Sequence, residues 1–235
     1  MELVSGPKHN AAHALRTQYN FGSIGVNPLS IHWHILGAGA VGGVFARRLH
    51  RLGHTVTLLT RRPTCGSRVI TYQQESGQRD SSRLSNSVRL SDSVRFSEEP
   101  LNEKTPITKL LVCTKSFDVL PAVEAILHRL SSGAEVITLS NGMGYHEPLA
   151  AVLGDQYLMA GTTTAGVYQA ARDNLVLSGA GNTQIGWFRS AAARPDWSYS
   201  LDKGPWPFHW EPEIKPVLLR KLAINAVINP FTALA

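Results

Sequence analysis

The sequence predicts an α/β fold built on a mixed sheet, and three observations carry the prediction. An apolar run, Ile31 to Leu36, meets the turn Gly37-Ala38-Gly39-Ala40-Val41-Gly42, and an amphipathic stretch follows to Leu52 before Gly53 ends it. A second apolar run, Thr55 to Thr60, comes next, so the unit reads strand, helix, strand with the crossover that parallel strands need. Later apolar runs, Lys109 to Thr114 and Glu135 to Leu139, end in Lys115-Ser116 and Ser140-Asn141-Gly142. The carboxyl ends of strands are where ligands bind in open α/β sheets.

In a dinucleotide-binding, Rossmann-type unit the first glycine permits the sharp turn and the second lets the backbone approach a pyrophosphate. The third lets helix and strand pack closely. Backbone N–H groups at the helix N-terminus then face the phosphates. Glycine-rich turns also occur for backbone reasons alone; the strand that follows is what raises this one. About twenty residues past the glycines, an acid would bind the ribose 2′-hydroxyl of NAD. This chain has Thr60, Arg61 and Arg62 there. A carboxylate would repel a 2′-phosphate, whereas a guanidinium pairs with it bidentately, so NADP(H) is the expected cofactor. The competing reading is a solvated pair of loop arginines.

At 235 residues the chain can bury one full α/β domain and part of a second. No segment approaches the roughly eighteen uninterrupted apolar residues that a membrane span needs, so a membrane enzyme is not expected. The net charge of +6 comes from Lys and Arg spread along the chain, which argues against a nucleic-acid partner. An anionic cofactor and substrate account for it as well. Two cysteines, Cys65 and Cys113, make neither a metal-ligand set nor a disulfide framework.

Taken in order, residues 1–30 read as an N-terminal extension, acid-poor and weakly basic, either disordered or a mitochondrial targeting segment. Pro63 to Pro106 is polar, with short alternating fragments such as Val88-Arg89-Leu90 and Val94-Arg95-Phe96, suited to half-exposed strands or a hairpin. Asp118 to Leu130 has helical periodicity, closed by Ser131-Ser132-Gly133. A helix is predicted over Tyr145 to Leu153 and a strand near Tyr157 to Ala160, followed by a turn at Gly161 to Thr164. Short antiparallel segments follow at Gly166 to Gln169, Leu175 to Leu177 and Gln184 to Ile185, which makes the sheet mixed. Ser190 to Pro216, rich in Pro and Trp, reads as an extended surface connection and the junction between domains.

Pro216 opens a second site-bearing stretch that runs to the last residue. Proline suits the first turn, and the apolar positions that follow support a mostly buried helix. Lys221, Asn225 and Asn229 recur at every fourth position, so an ammonium and two amides share one face. A buried lysine without partners is costly, and a polar cleft on that face explains it. The competing reading has Lys221 reaching solvent while the asparagines satisfy nearby backbone. Pro230 is expected to bend the helix just after Asn229.

With these residues in place, the chain resembles the ketopantoate reductases. The matching stretches are Gly37 to Gly43, Thr114-Lys115-Ser116, Asn141-Gly142-Met143-Gly144, and Lys221 through Asn225, Asn229 and Pro230 to Ala233, the last being the most specific. The resemblance implies a dinucleotide-binding domain over 31–212 and the start of an all-helical substrate domain over 213–235, with the active site in the cleft between them. It implies Lys221 as general acid, Asn225 and Asn229 holding the keto acid, and Asn141 beside nicotinamide and substrate. Lys115 would line the cofactor side of the cleft and Arg61 would take the 2′-phosphate.

The implied activity is NADPH-dependent reduction of 2-dehydropantoate to (R)-pantoate in pantothenate biosynthesis. An ammonium beside the developing alkoxide stabilises and protonates it. In the family further residues complete the helical domain after this helix, including a serine and an acid that contact substrate, so the chain is expected to be C-terminally truncated. A 2-keto acid is the expected partner and a homodimer is compatible with the sequence. The expected compartment is the cytoplasm, with mitochondria as the alternative. Rivals are another dehydrogenase with a catalytic lysine, such as a 3-hydroxyacid dehydrogenase, and a non-catalytic binding or regulatory protein that keeps the fold.

Overall fold

The computed structural model describes residues 30–62, 66–74, 90–154, 158–190, 192–203 and 207–234. Residues 1–29 of the N-terminal extension, Cys65, Val88, Arg89, Tyr157, Trp206 and the side chain of Asn229 lie outside the described residues. Strand β1 (His32–Leu36) leads through the glycine turn into α1 (Ala40–Arg51), and β2 (Thr55–Thr60) returns beside it. The strands β3 (Ser67–Gln74) and β4 (Leu90–Pro100) form an antiparallel pair, so the described part of the polar stretch holds two half-exposed strands. Strand β5 (Ile107–Val112), helix α2 (Val119–Glu124), β6 (Leu130–Thr138) and α3 (His146–Leu153) follow. Then come β7 (Leu158–Thr163), β8 (Gly166–Ala171), β9 (Asn174–Gly179), β10 (Thr183–Trp187), β11 (Phe208–Trp210) and α4 (Ile214–Leu234).

Among the described residues, eleven strands make one sheet in the order β11-β10-β7-β6-β5-β1-β2-β4-β3-β9-β8. Its centre, β7 through β4, is parallel, while β3 on β4, β8 on β9 and β10 on β7 are antiparallel. The parallel strands are continuous apolar runs because both of their faces are covered. On one face Trp33, Ile35, Leu58, Leu111 and Ile137 pack with Val44, Phe45 and Leu49 of α1. On the other, Leu36, Leu110, Val112 and Val136 pack with Val119, Val123 and Leu149 of α2 and α3. Each such fully buried aliphatic side chain contributes roughly 1.5–3 kcal/mol. Strand β1 has β5 on one side and β2 on the other, and that reversal of strand order opens a crevice above its carboxyl end.

Four expectations are corrected. The helix predicted over Asp118 to Leu130 is broken into a 3₁₀ turn (Ser116–Asp118), α2, and a second 3₁₀ turn (Leu127–Arg129). The buried Arg129 guanidinium is tied to the carbonyls of Thr105 and Pro100 and to Glu99, and these bonds replace further helical turns. Ser131 to Gly133 then belong to β6. The turn predicted at Gly161 to Thr164 is largely strand, because β7 continues to Thr163 and pairs with β10, with the hydroxyls of Thr163 and Thr183 3.0 Å apart.

The connection Ser190 to Pro216 is more than an extended surface run. It holds a 3₁₀ segment (Asp196–Lys203) that buries Ser198 and Leu201, and the edge strand β11. Trp197 meets Trp33 edge to face at 5.0 Å and donates its indole N–H to Glu135. Helix α4, expected to be mostly buried, has Ile214 and Leu218 buried among its described side chains, while Leu219, Ile224, Val227 and Ile228 are at least half exposed. Its first turns rest on β7 and β10, where an added Cβ at Gly186 would overlap the Glu211 carbonyl; the later turns leave the sheet. Pro230 lies inside the helix, which continues to Leu234.

Candidate active site

The glycine turn is built for close approach. Gly37 has φ +92°, and a Cβ there would come within 2.7 Å of the Thr114 backbone nitrogen. Both conformation and contact therefore demand glycine. A Cβ on Gly42 would overlap the Gly37 carbonyl, so this glycine packs helix against turn. Gly39 differs: an added Cβ meets nothing within 4 Å, and the space beside it is open. Helix α1 has no acid in its first turn and carries Arg48, His50 and Arg51 in its last. The charges therefore leave its positive N-terminal end uncompensated and facing this space.

A cleft of about 580 Å³ opens over that end, walled by the loops that leave β1, β2, β5 and β6. Of the predicted cofactor residues, Gly37, Gly39, Ala40, Val41, Arg61, Lys115 and Asn141 line it. Ala38 and Gly42 fall outside this lining, Ala38 packing on the core instead. Sequence reading did not single out Thr114, Phe117, Asp118 and Ser140 as site residues, yet all four line the cleft. Their signal was position, since each follows closely on the end of β5 or β6. Arg61 reaches across to Asp118, Nη2 to Oδ1 3.7 Å.

The Oγ1 of Thr114 is buried with no hydrogen-bond partner. Buried hydroxyls are normally satisfied, so it suits a polar ligand. With the open space at Gly39 and the bare helix end, it fits a dinucleotide.

A second hollow of only about 10 Å³ adjoins the first. Lys221 and Asn225 of α4 line it with Gly161 and Thr162 of β7, and it shares Ser140 and Asn141 with the cleft. The Lys221 ammonium donates a 2.5 Å hydrogen bond to the Thr163 main-chain carbonyl, and burial lowers its pKa below the ordinary 10.5. The structure thus brings Lys221, Asn225 and Asn141 together. Asn229 lies two turns beyond Lys221 on the same helix, its side chain outside the described residues.

The family model for ketopantoate reductase PanE/ApbA matches residues 33–190, from β1 to just beyond β10. A 2-dehydropantoate 2-reductase of Vibrio cholerae serotype O1 is 32% identical over 201 residues, covering 85% of this chain and 62% of that protein. The chain therefore spans less than two thirds of that relative's length. Among solved structures, a probable 2-dehydropantoate 2-reductase of Bacillus subtilis superposes with TM-score 0.66 at 25% identity, covering 87% of this chain and 66% of that one. A D-mandelate dehydrogenase with NADH and anilino(oxo)acetate shares the fold, with TM-score 0.66 at 18% identity over 83% of this chain and 61% of its own. The glycine turn under an open helix end, the cleft above it and the match from β1 onward make one statement: the chain belongs to the ketopantoate reductase family.

Proposed function

We propose that the chain binds NADPH in the cleft over Gly37 and takes part in the reduction of 2-dehydropantoate to (R)-pantoate, with Lys221 as the proton donor. One observation carries the reading: Asn141 and Ser140 belong both to the cleft and to the hollow that holds Lys221. The hollow has room for no more than about one water, so a keto acid would lie at its mouth, beside a group bound in the cleft. The N-terminal end of α1 and the Gly39 backbone would hold the pyrophosphate, and Arg61 the 2′-phosphate. NADPH, when bound, supplies the hydride.

The chain's own residues do the rest. A ketone oxygen that becomes a hydroxyl needs a proton, and the Lys221 Nζ holds one with a pKa already lowered by burial. The Thr163 carbonyl fixes the ammonium at one end of the hollow, and the Asn225 amide, one turn along α4, is placed to orient a keto acid. Asn141 separates the two compartments and can donate to either. A cytoplasmic setting belongs to this reading; no helix among the described residues is long and apolar enough to cross a membrane.

A second reading, a binding or regulatory protein that keeps the fold, has the chain hold the nucleotide without turning it over. The discriminating experiment measures NADPH binding by nucleotide fluorescence and NADPH oxidation with 2-dehydropantoate on the same preparation. Turnover that disappears in Lys221→Ala supports the reductase. Tight binding without turnover favours the second reading, and failure to bind NADPH removes both.

A further inference from the structure

Arg61 and Asp118 approach each other from opposite sides of β1. Arg61 follows β2, Asp118 closes the 3₁₀ turn after β5, and the strand order β5-β1-β2 leaves the Gly37 turn between them. Both line the cleft, and the guanidinium that would take a 2′-phosphate is held at 3.7 Å by a carboxylate of this same chain. We propose that Asp118 is a specificity-determining residue of the cofactor site. Its carboxylate occupies Arg61 and opposes an incoming phosphate, narrowing the margin by which NADPH outbinds NADH. The proposal rests on the dinucleotide reading above.

The chemistry follows from what each cofactor brings. A 2′-phosphate must displace the Asp118 carboxylate from Arg61 and then lie beside it, which costs affinity through like-charge repulsion. NADH brings a neutral hydroxyl to the same place, which the carboxylate does not repel and from which it can accept a hydrogen bond. The pair itself is open to water, with 66% of the Arg61 side chain and 38% of the Asp118 side chain exposed, so it yields to a phosphate rather than blocking it. Lys115 lines the same cleft and its charge favours both cofactors through their shared pyrophosphate. Asp118 occupies the N-cap position of α2, and its side chain makes no capping hydrogen bond.

The test compares NADPH and NADH dissociation constants, by nucleotide fluorescence, for the unaltered chain, Asp118→Asn, Arg61→Ala and the double variant, at low and high salt. Expected is an NADPH affinity gain of about two- to fivefold in Asp118→Asn, the range of an exposed ion pair, with no gain for NADH. The gain vanishes in the Arg61→Ala background and shrinks at high salt. An equal change for both cofactors, no change for NADPH, or a gain that survives loss of Arg61 overturns the proposal while leaving the dinucleotide reading standing. If the unaltered chain binds neither cofactor, the dinucleotide reading itself falls, and the proposal with it.

Discussion

The Lys221 ammonium is seated on the main-chain carbonyl of Thr163, 2.5 Å away and 58 residues earlier in the chain. That acceptor exists because β7 runs on to Thr163 and pairs there with Thr183 of β10. The strand that carries the sheet's antiparallel extension therefore also holds the lysine, and it fixes the ammonium in the hollow that adjoins the cleft.

Lys221→Ala is expected to lower kcat by about 10²–10⁴, the range of a lost general acid, while the NADPH dissociation constant stays within about twofold. The donor must be protonated to act, and burial lowers its pKa from 10.5. Activity therefore declines with rising pH along a limb that lies below 10.5. In Lys221→Arg, whose guanidinium does not lose its proton, that limb disappears together with most of the turnover. A Lys221→Ala form with unchanged kcat would remove the assigned role.

The glycines of the turn separate folding from binding. Gly42→Ala forces a Cβ into the Gly37 carbonyl and is expected to cost about 1–3 kcal/mol, as overpacking does. Gly39→Ala meets nothing within 4 Å and is expected to cost no more than about 1 kcal/mol, the loss of a glycine N-cap, yet it fills the space a pyrophosphate would use. Thermal denaturation alongside NADPH titration checks both. Normal NADPH affinity in Gly39→Ala would show that the phosphates lie elsewhere.

Arg129 is the anchor of the broken helix. Its guanidinium bonds to Glu99, to the Pro100 carbonyl at 3.1 Å and to the Thr105 carbonyl at 3.0 Å. Arg129→Met leaves those groups without their partner and is expected to cost about 3–5 kcal/mol in urea denaturation. Arg129→Lys, with the charge but not the planar fork, recovers only part of it. A loss below about 1 kcal/mol for the methionine variant would mean that the network does not hold the turn.

Two buried histidines make the fold acid-sensitive. Burial, helped by the neighbouring charges of His32 and Arg129, brings His34 down from 6.5 to about 4, and burial first of all does the same to His146. In the unfolded chain both take up protons near 6.5, in the folded chain near 4, so stability is complete above about 6.5 and is lost as pH falls toward 4. Each shift corresponds to roughly 3 kcal/mol. His146 stacks on Tyr145 and Phe188, at 3.9 and 5.0 Å between ring centroids, so His146→Phe keeps the stack and removes one titration. Denaturation midpoints measured across this pH range should fall less steeply in that variant, and an identical slope would contradict the assignment.

Much of this molecule could be read from local pattern. The apolar runs at Ile31 to Leu36, Thr55 to Thr60 and Lys109 to Val112 had to become buried parallel strands, because apolar residues on both faces need cover on both sides. Gly37 and Gly42 announced the turn because no other residue fits its φ or its contacts. Lys221 and Asn225 were placed together by the helical period alone.

Pairings between distant segments were decided only in three dimensions. Helical periodicity continued past α2, but Arg129 found buried acceptors on the β4–β5 connection and ended it. The threonines after Ala160 carried turn chemistry, but β10 offered a ladder, and β-branched residues suit one. Asp118 read as part of a helix, and only the order of strands set its carboxylate against Arg61. Local sequence specifies which backbone and which face a residue has. Which partner it meets depends on how the strands are ordered in the sheet, and that order is settled by the burial of the whole core.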